Sequence, residues 1–209
     1  MKLTKYTHAC VRLEKDGRVL VIDPGSFSEA EALDGADAVL ITHEHFDHLD
    51  PERLARLPAT AEIWTCEAVA GRLTEVAATV RTVRDGDGFE TAGFRVDVVG
   101  EWHALNHPDM PIVQNVGFKV DGDVYYPGDA FTLPGGEVGT LLVPMTAPWL
   151  KLPEVIEFLR TVRPARAYST HDGIYNETGL KLVDTWLGME AGKQRADIRR
   201  LTPGESVEL

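Results

Sequence analysis

The feature that most constrains the chain is a six-residue window, 43–48, with the sequence His-Glu-His-Phe-Asp-His. Three of the seven histidines in the 209-residue chain lie there. Imidazole nitrogens and carboxylate oxygens are the protein ligands that hold zinc and similar divalent ions. His43 and His45, followed by the adjacent pair Asp47 and His48, can serve two neighbouring metal ions. Solvated histidines on a polar loop are the alternative, and this density of ligand-type residues argues against it.

The sequence on either side of the window predicts how it is held. Ala38–Ile41 is a short run of branched and apolar residues, typical of a buried strand. Asp50, Pro51 and Glu52 predict a helix start, with a capping Asp, a Pro at the first helical position and an acid in the first turn. The window is therefore expected on a tight loop at the carboxyl end of a strand, where open α/β sheets place ligand chemistry.

The order of predicted strands and helices repeats along the chain. Hairpin signals at 16–17 and 121–123 each separate two strand-like runs, and more strands and helices follow each hairpin. A first strand is predicted at 6–13, and helices are predicted at 51–57, 67–78, 153–160 and 178–188. Strands followed by helices, twice over, favour two sheets packed face to face with helices outside, in a single domain of residues 1–209.

Composition limits the classes of partner. Thirty-three Asp and Glu residues against 21 Lys and Arg give a formal net charge of −12. This charge disfavours long nucleic acid and anionic membranes, which attract positive surfaces, and leaves a small-molecule substrate as the expected partner. Cys10 and Cys66 are predicted to be buried reduced thiols. No signal-peptide core or bilayer-length apolar stretch occurs, so a cytoplasmic protein is expected; the oligomeric state stays open.

Further ligand-type residues follow other predicted strands. His103 comes after the run 94–99, Asp129 ends the segment Tyr-Tyr-Pro-Gly-Asp, and His171 follows Tyr-Ser-Thr. Taken singly each signal is weak, because a strand-end His is commonly structural and Pro-Gly-Asp is an ordinary turn. One loop normally provides too few ligands for a metal site, so the three residues become candidates through their order behind the window.

That order resembles the metallo-β-lactamase superfamily, and the resemblance covers essentially the whole chain. The leading signature of the family, His-x-His-x-Asp-His after a buried strand, is matched by the window. Its later His, Asp and His are matched in order by His103, Asp129 and His171. Asp23, in Ile-Asp-Pro-Gly, matches a family acid that supports the site from behind the ligands. The resemblance implies an α/β fold of the α+β type, a four-layer αββα sandwich.

The resemblance also implies a dinuclear centre. Seven residues would hold two divalent ions: His43, His45 and His103 the first, Asp47, His48 and His171 the second, with Asp129 as a bridge. Zinc is the default ion for such a nitrogen-rich set, and manganese or iron could fill the same site. A metal-bridging hydroxide would be the nucleophile, and Asp47 is a candidate catalytic residue as well as a ligand.

Two further histidines are candidates for catalysis. His8, on the predicted first strand, could donate a proton or contact substrate, or it could be a hydrogen-bonded structural residue. His107 could contact substrate, act as a general acid or replace His103 as a ligand, and an ordinary loop position is the alternative. The loops 109–112, 131–136 and 147–149 are expected to form the rim of the pocket.

The sequence thus predicts a dinuclear metal-dependent hydrolase that cleaves an ester, lactone, amide or phosphodiester bond of a small substrate. The short chain looks most like lean bacterial hydrolases related to ascorbate-6-phosphate lactonase. A phosphodiesterase acting on a nucleotide or nucleic acid is one alternative. A non-catalytic metal-binding domain is another, but such a domain would be expected to have lost ligands, and all seven are present.

Overall fold

Two seven-stranded sheets organise the chain, and the computed structural model describes residues 1–209. The first sheet begins with β1 (Lys2–Lys5), β2 (Val11–Lys15), β3 (Arg18–Ile22), β4 (Ala38–Ile41), β5 (Glu62–Thr65) and β6 (Thr79–Thr82). The second contains β7 (Gly88–Thr91), β8 (Phe94–Val99), β9 (Gly117–Val120), β10 (Val124–Tyr126), β11 (Thr140–Pro144), β12 (Arg166–Thr170) and β13 (Asp197–Arg199). The last strand, β14 (Ser206–Glu208), returns to the first sheet and pairs with β1.

Each sheet mixes antiparallel and parallel pairs. The first has the order β14-β1-β2-β3-β4-β5-β6, and its strands β3 to β6 are parallel neighbours. The second has the order β13-β12-β11-β10-β9-β8-β7, and its strands β10 to β13 are parallel neighbours. All four residues of β4 are fully buried, as expected for a parallel strand that is covered on both faces.

The helices lie on the outer faces of the sheets. They are α1 (Pro51–Leu54), α2 (Glu67–Ala70), α3 (Leu152–Val162) and α4 (Glu177–Gln194), with a 3-10 turn at Ala30–Leu33. One core joins buried residues of both sheets with α1 and α2, and a second packs α3 and α4 against β11 and β12. The predicted αββα sandwich is confirmed.

Several predicted elements are wrong in extent: α1 ends at Leu54 rather than at residue 57, and α4 continues to Gln194, beyond the predicted residue 188. The strand predicted at 6–13 is present only from Val11, because residues 6–10 form the turn between β1 and β2, closed by the backbone N–H of Tyr6, which donates to the carbonyl of Cys10 at 2.9 Å. The helix predicted at 67–78 ends at Ala70, where Gly71, a poor helix former, follows. Leu73 is still buried in the core, but from a turn rather than a helix. Apolar spacing therefore identified the buried residue and not its backbone conformation.

The two sheets meet at the edge where β3, β4, β8, β10 and β12 end. In the first sheet, β3 and β4 are parallel and end at the same edge. In the second, β10, β11 and β12 are parallel. β8 runs in the same direction as β10, because both are antiparallel to β9. At this edge His43 forms an isolated bridge with Asn115, and the N–H of Val116 donates to the carbonyl of Thr42 at 3.0 Å. The chain segments beyond these strand ends are thereby held close together.

None of the helices is both long enough and apolar enough to cross a lipid bilayer. Both cysteines are buried, and burial raises the pKa of each thiol, that of Cys10 to about 12. The thiols therefore stay protonated at neutral pH and behave as small apolar side chains.

Glu190 on α4 links this helix to α3. Arg160 donates two hydrogen bonds to its carboxylate, at 2.8 and 3.0 Å, and these lower the pKa of Glu190 from 4.5 to about 2. We expect Glu190→Gln to lower the free energy of unfolding at pH 7 by about 1 kcal/mol, because Arg160 is partly solvated. The carboxylate stabilises the fold above its unfolded pKa, so the deficit should disappear as the pH falls from about 4.5 towards 2. Urea unfolding at several pH values measures this.

Glu157→Gln is the matched control for that variant. Glu157 accepts from the same Arg160 at 3.1 Å, but its side chain is 71% exposed. Its loss should change stability little at any pH. An equal loss of unfolding free energy in the two variants would contradict the stabilising role given to the Arg160–Glu190 ion pair. So would a Glu190→Gln deficit that persists at pH 2.

Candidate metal centre

The strand ends at the junction of the two sheets gather all seven predicted ligands. They are His43, His45, Asp47, His48, His103, Asp129 and His171, and they form two groups with His8 as an additional member of the second. Within each group the candidate ligand atoms lie within 4.8 Å of one another. The arrangement follows from topology, since each residue or its loop comes directly after a strand that ends at this edge.

The first group contains three imidazoles and one carboxylate. The Nε2 of His43 lies 3.1 Å from the Nδ1 of His45. The Nε2 of His103 lies 3.4 Å from the Oδ2 of Asp129. Burial lowers the pKa of both His43 and His45, so these rings are neutral at neutral pH and their lone pairs are available to a cation.

In the second group the imidazoles lie near two carboxylates, Asp47 of the group itself and Asp129 of the first group. The Nε2 of His171 lies 3.3 Å from the Oδ2 of Asp47 and 3.0 Å from the Oδ2 of Asp129. The Nε2 of His48 lies 3.3 Å from the Oδ1 of Asp129. Asp129 therefore approaches ligand nitrogens of both groups, the position that a bridging ligand requires.

The carboxylates favour positive charge in the second group. Burial opposes protonation of His171, but the adjacent Asp129 outweighs it and raises the pKa to about 9. Burial is likewise outweighed at His48, whose pKa is raised well above its usual value by Asp129 and Asp23. The imidazoles in turn hold the pKa values of Asp47 and Asp129 low against the effect of burial. The same charges favour a divalent cation at this place.

Asp23 orients two of the ligand rings. It follows β3, and its carboxylate accepts hydrogen bonds from the N–H of Thr42 at 2.7 Å, the Thr42 hydroxyl at 2.6 Å and the Nδ1 of His48 at 2.7 Å. Since the hydroxyl proton of Thr42 goes to Asp23, its oxygen accepts from the Nδ1 of His43 at 2.9 Å. Both rings thus direct Nε2 into the centre.

The other imidazoles are oriented by the backbone. The Nδ1 of His103 donates to the carbonyl of Ala104, and the Nδ1 of His171 donates to the carbonyl of Thr146. Their Nε2 atoms are left to face Asp129. Ligating histidines in metal sites are commonly held in this way.

The Asp129 loop is fixed by Asn115 and Trp149. The amide oxygen of Asn115 accepts from the N–H of Asp129 at 2.9 Å, and its NH₂ donates to the carbonyl of Pro127 at 2.9 Å. Gly128 has φ +65°, and a Cβ there would lie 2.3 Å from the Asn115 oxygen, so only glycine fits. The indole N–H of Trp149 donates to the Oδ2 of Asp129 at 3.0 Å.

The donor set fits divalent metal ions. Five buried side-chain polar atoms have no hydrogen-bond partner, and four of them belong to predicted ligands: His48 Nε2, His103 Nε2, His171 Nε2 and Asp129 Oδ1. Buried polar atoms are normally paired, because an unpaired one costs about 1–3 kcal/mol. Four such atoms converging on one place are explained by coordination to a cation.

His8 contacts the centre from behind Asp47. It lies in the turn after β1 at φ +65°, is fully buried, and its Nδ1 accepts from the N–H of Gly173 at 3.1 Å. The proton is therefore on Nε2, which donates to the Oδ2 of Asp47 at 3.0 Å. Burial lowers the pKa of His8, so the ring is neutral. These contacts make His8 a residue that positions Asp47.

Two other residues, His107 and Glu44, make their charged contacts outside the centre. His107 has a 62% exposed side chain 3.6 Å from Asp109, and it does not line the cavity described below. No contact in the structure gives His107 the general-acid or ligand role that the sequence allowed, and that role stays a prediction. Glu44, inside the histidine window, pairs with Arg72 at 2.9 Å on the surface.

Sequence reasoning missed Thr42, Asn115 and Phe46. The roles of Thr42 and Asn115 depend on contacts between distant segments, and a buried polar residue beside a ligand was the available signal. Phe46 received no role from the sequence, although it lies between ligand-type residues of the window, and its side chain is 64% exposed. It lines the cavity at the centre together with Met110, Pro148 and Trp149, which lie in the predicted rim loops.

The chain is similar in sequence to metal-dependent hydrolases and matches a known family over most of its length. The profile of the β-lactamase superfamily domain matches residues 2–171. Protein Rv0786c of Mycobacterium tuberculosis is 40% identical over 83% of this chain and 85% of its own length. A protein of Aeropyrum pernix named UPF0173 metal-dependent hydrolase is 27% identical over 100% of this chain and 97% of its own.

Solved structures show the same fold. Igni18, a metallo hydrolase from Ignicoccus hospitalis, superposes with a TM-score of 0.75 at 20% identity, covering 99% of this chain and 97% of its own. The metallo-β-lactamase fold protein YhfI from Bacillus subtilis has a TM-score of 0.76 at 14% identity, covering 100% and 99%.

Replacing Asp23 tests how the ligand rings are held. Asp23→Asn replaces one acceptor oxygen by an NH₂ group, which cannot accept from His48 or Thr42. We expect the fold to persist and the affinity for divalent metal to fall by about ten- to a hundredfold. Competition with a chromophoric chelator measures the affinity. Asp37→Asn is the control, because Asp37 caps the N–H of Val19 far from the centre; an equal loss in both variants would remove the role from Asp23.

Proposed function

We propose, because the chain belongs to the metallo-β-lactamase superfamily of metal-dependent hydrolases, that it holds two divalent ions and hydrolyses an ester, lactone, amide or phosphodiester bond of a small molecule. The observation that carries the proposal is the position of Asp129. Its carboxylate lies 3.0–3.4 Å from the Nε2 atoms of His48, His103 and His171, which belong to both ligand groups.

The seven ligands would form two sets, one for each metal ion. One ion would be held by His43, His45 and His103, the other by Asp47, His48 and His171, with Asp129 shared. Zinc is the default for these nitrogen-rich sets, and manganese or iron are alternatives. Two bound ions would lower the pKa of a water molecule towards neutrality and would stabilise negative charge on a substrate oxygen.

The protein residues supply orientation and charge balance. Asp47 lines the cavity and can accept a hydrogen bond from the attacking water, while His8 holds its carboxylate. Trp149 holds Asp129 through the indole N–H. Asp23, Thr42 and the two backbone carbonyls keep the rings in a single tautomer, so little reorganisation accompanies binding. The cavity of about 500 Å³ suits a small-molecule substrate.

Metal analysis tests the dinuclear proposal. Protein purified without chelators should carry about two divalent ions per chain, because each ligand set offers three side chains and a shared carboxylate. Chelation should abolish hydrolysis of a test ester, and added zinc or manganese should restore it. Less than one ion per chain, or full activity after chelation, would refute the proposal.

Substitution of the shared and second-set ligands separates the two ions. Asp129→Ala and His171→Ala should each lower metal-dependent kcat/KM by at least about a hundredfold, since both remove a direct ligand. His171→Ala should keep the first ion, so elemental analysis should find about one ion per chain. His107→Ala is the matched histidine control and should retain both ions and activity. Full activity in either ligand variant would exclude that residue from the centre.

A further inference from the structure

The cavity at the centre has a wall that the hydrolytic chemistry does not use. Its volume is about 500 Å³. Six apolar residues form this apolar wall: Phe27, Phe46, Met110, Pro148, Trp149 and Ile174. The other lining residues are five of the predicted ligands and Asn106. The apolar wall and the metal centre are therefore two sides of one space.

The apolar wall exposes large side chains. Phe46 is 64% exposed, Met110 55% and Ile174 49%. Single exposed apolar residues are ordinary, but a contiguous group around a cavity marks a binding surface, because each such side chain gains free energy when an apolar group covers it. The position beside the ligands points to the substrate as the molecule that covers it.

The apolar wall is preformed. Trp149 is fixed by its hydrogen bond to Asp129 and by an edge contact with the ring of Phe131, with centroids 5.1 Å apart. The rings of Phe27 and Phe46 meet at 90° with centroids 5.3 Å apart. Trp149 therefore joins the apolar wall to a predicted bridging ligand, so the wall begins directly beside the metal centre.

The lining of the cavity does not favour a substrate that carries an anionic group at a distance from the metal ions. No lysine or arginine side chain lines it, and two of its lining residues, Asp47 and Asp129, are carboxylates. Sites for phosphate or carboxylate groups normally provide arginine, lysine or a helix N-terminus. A negative group held on the apolar wall, away from the metal ions, would meet none of these in the lining.

We propose that the substrate is a neutral ester with an apolar acyl group that packs on the apolar wall, an inference that rests on the proposed hydrolytic function. The reaction adds one water, breaks the acyl C–O bond and releases a carboxylic acid and an alcohol. A neutral acyl chain gains from burial on Phe46, Met110 and Trp149, whereas a charged group in the same place would lose hydration without meeting a lysine or arginine.

A series of p-nitrophenyl esters tests the acyl preference. From acetyl through butyryl to hexanoyl, kcat/KM should rise about fourfold per methylene, equivalent to ~0.8 kcal/mol. The adipoyl monoester has a similar chain ending in a carboxylate and should be at least about tenfold slower than the hexanoyl ester, the factor of one 1.4 kcal/mol step. Phe46→Ala and Met110→Ala should reduce the gain of hexanoyl over acetyl. Leu133→Ala removes an exposed apolar side chain outside the cavity and should keep it.

A binding measurement makes the test independent of turnover. Nile red, a neutral apolar dye, should bind the chelator-treated protein and be displaced by hexanamide. Phe46→Ala should weaken dye binding by about tenfold, the order of one buried aromatic contact, and Leu133→Ala should not. Dye binding of this kind without turnover of any ester would support an apolar ligand and overturn the proposal that this ligand is an ester.

Two results would overturn the inference. Equal rates for the acetyl, hexanoyl and adipoyl esters would remove the apolar preference while leaving the hydrolytic function intact. A concentration-dependent dimer that Phe46→Ala dissociates, with no dye binding, would assign the apolar wall to an interface between copies of the chain. Analytical ultracentrifugation of both proteins distinguishes the second result.

Discussion

The carboxylate of Asp23 is the interaction on which the centre depends. It is fully buried and accepts from Thr42 twice and from His48 once. These bonds join the end of β3 to the histidine window after β4, and they decide which nitrogen of His43 and His48 carries the proton. Without them the ligand atoms would be present in the sequence, but their lone pairs would not converge.

The centre divides into a nitrogen-rich half and a half in which carboxylates offset the imidazoles. Burial lowers the pKa of His43, His45 and His8 and keeps these three rings neutral. Asp129 reverses that effect at His171 and His48. Its N–H is held by Asn115 and its carboxylate by Trp149, so the residue that links the two halves is itself fixed by the second sheet and by the cavity wall.

Much of the fold was predictable because it rests on local patterns. The apolar run at β4, the Asp-Pro helix start at α1 and the hairpins gave the order of elements and the sandwich. The predicted ends of elements were wrong where tertiary packing decided the conformation of the backbone. The turn that holds His8 interrupts a strand-like run, and α2 stops at Ala70 although apolar spacing continues to Leu73, which is buried without being helical. Periodicity reports which side chains are buried and leaves the backbone path open.

By itself the sequence determined which residues can ligate metal, because ligand chemistry and the spacing of the window are local properties. It also determined that His103, Asp129 and His171 follow strands. Tertiary structure alone decided that these strand ends share one edge, that His8 positions Asp47 while His107 lies outside, and that Phe27 and Phe46 form one wall with Trp149. The physical reason is that each of these contacts joins segments from different parts of the chain, whose approach is set by the packing of the two sheets.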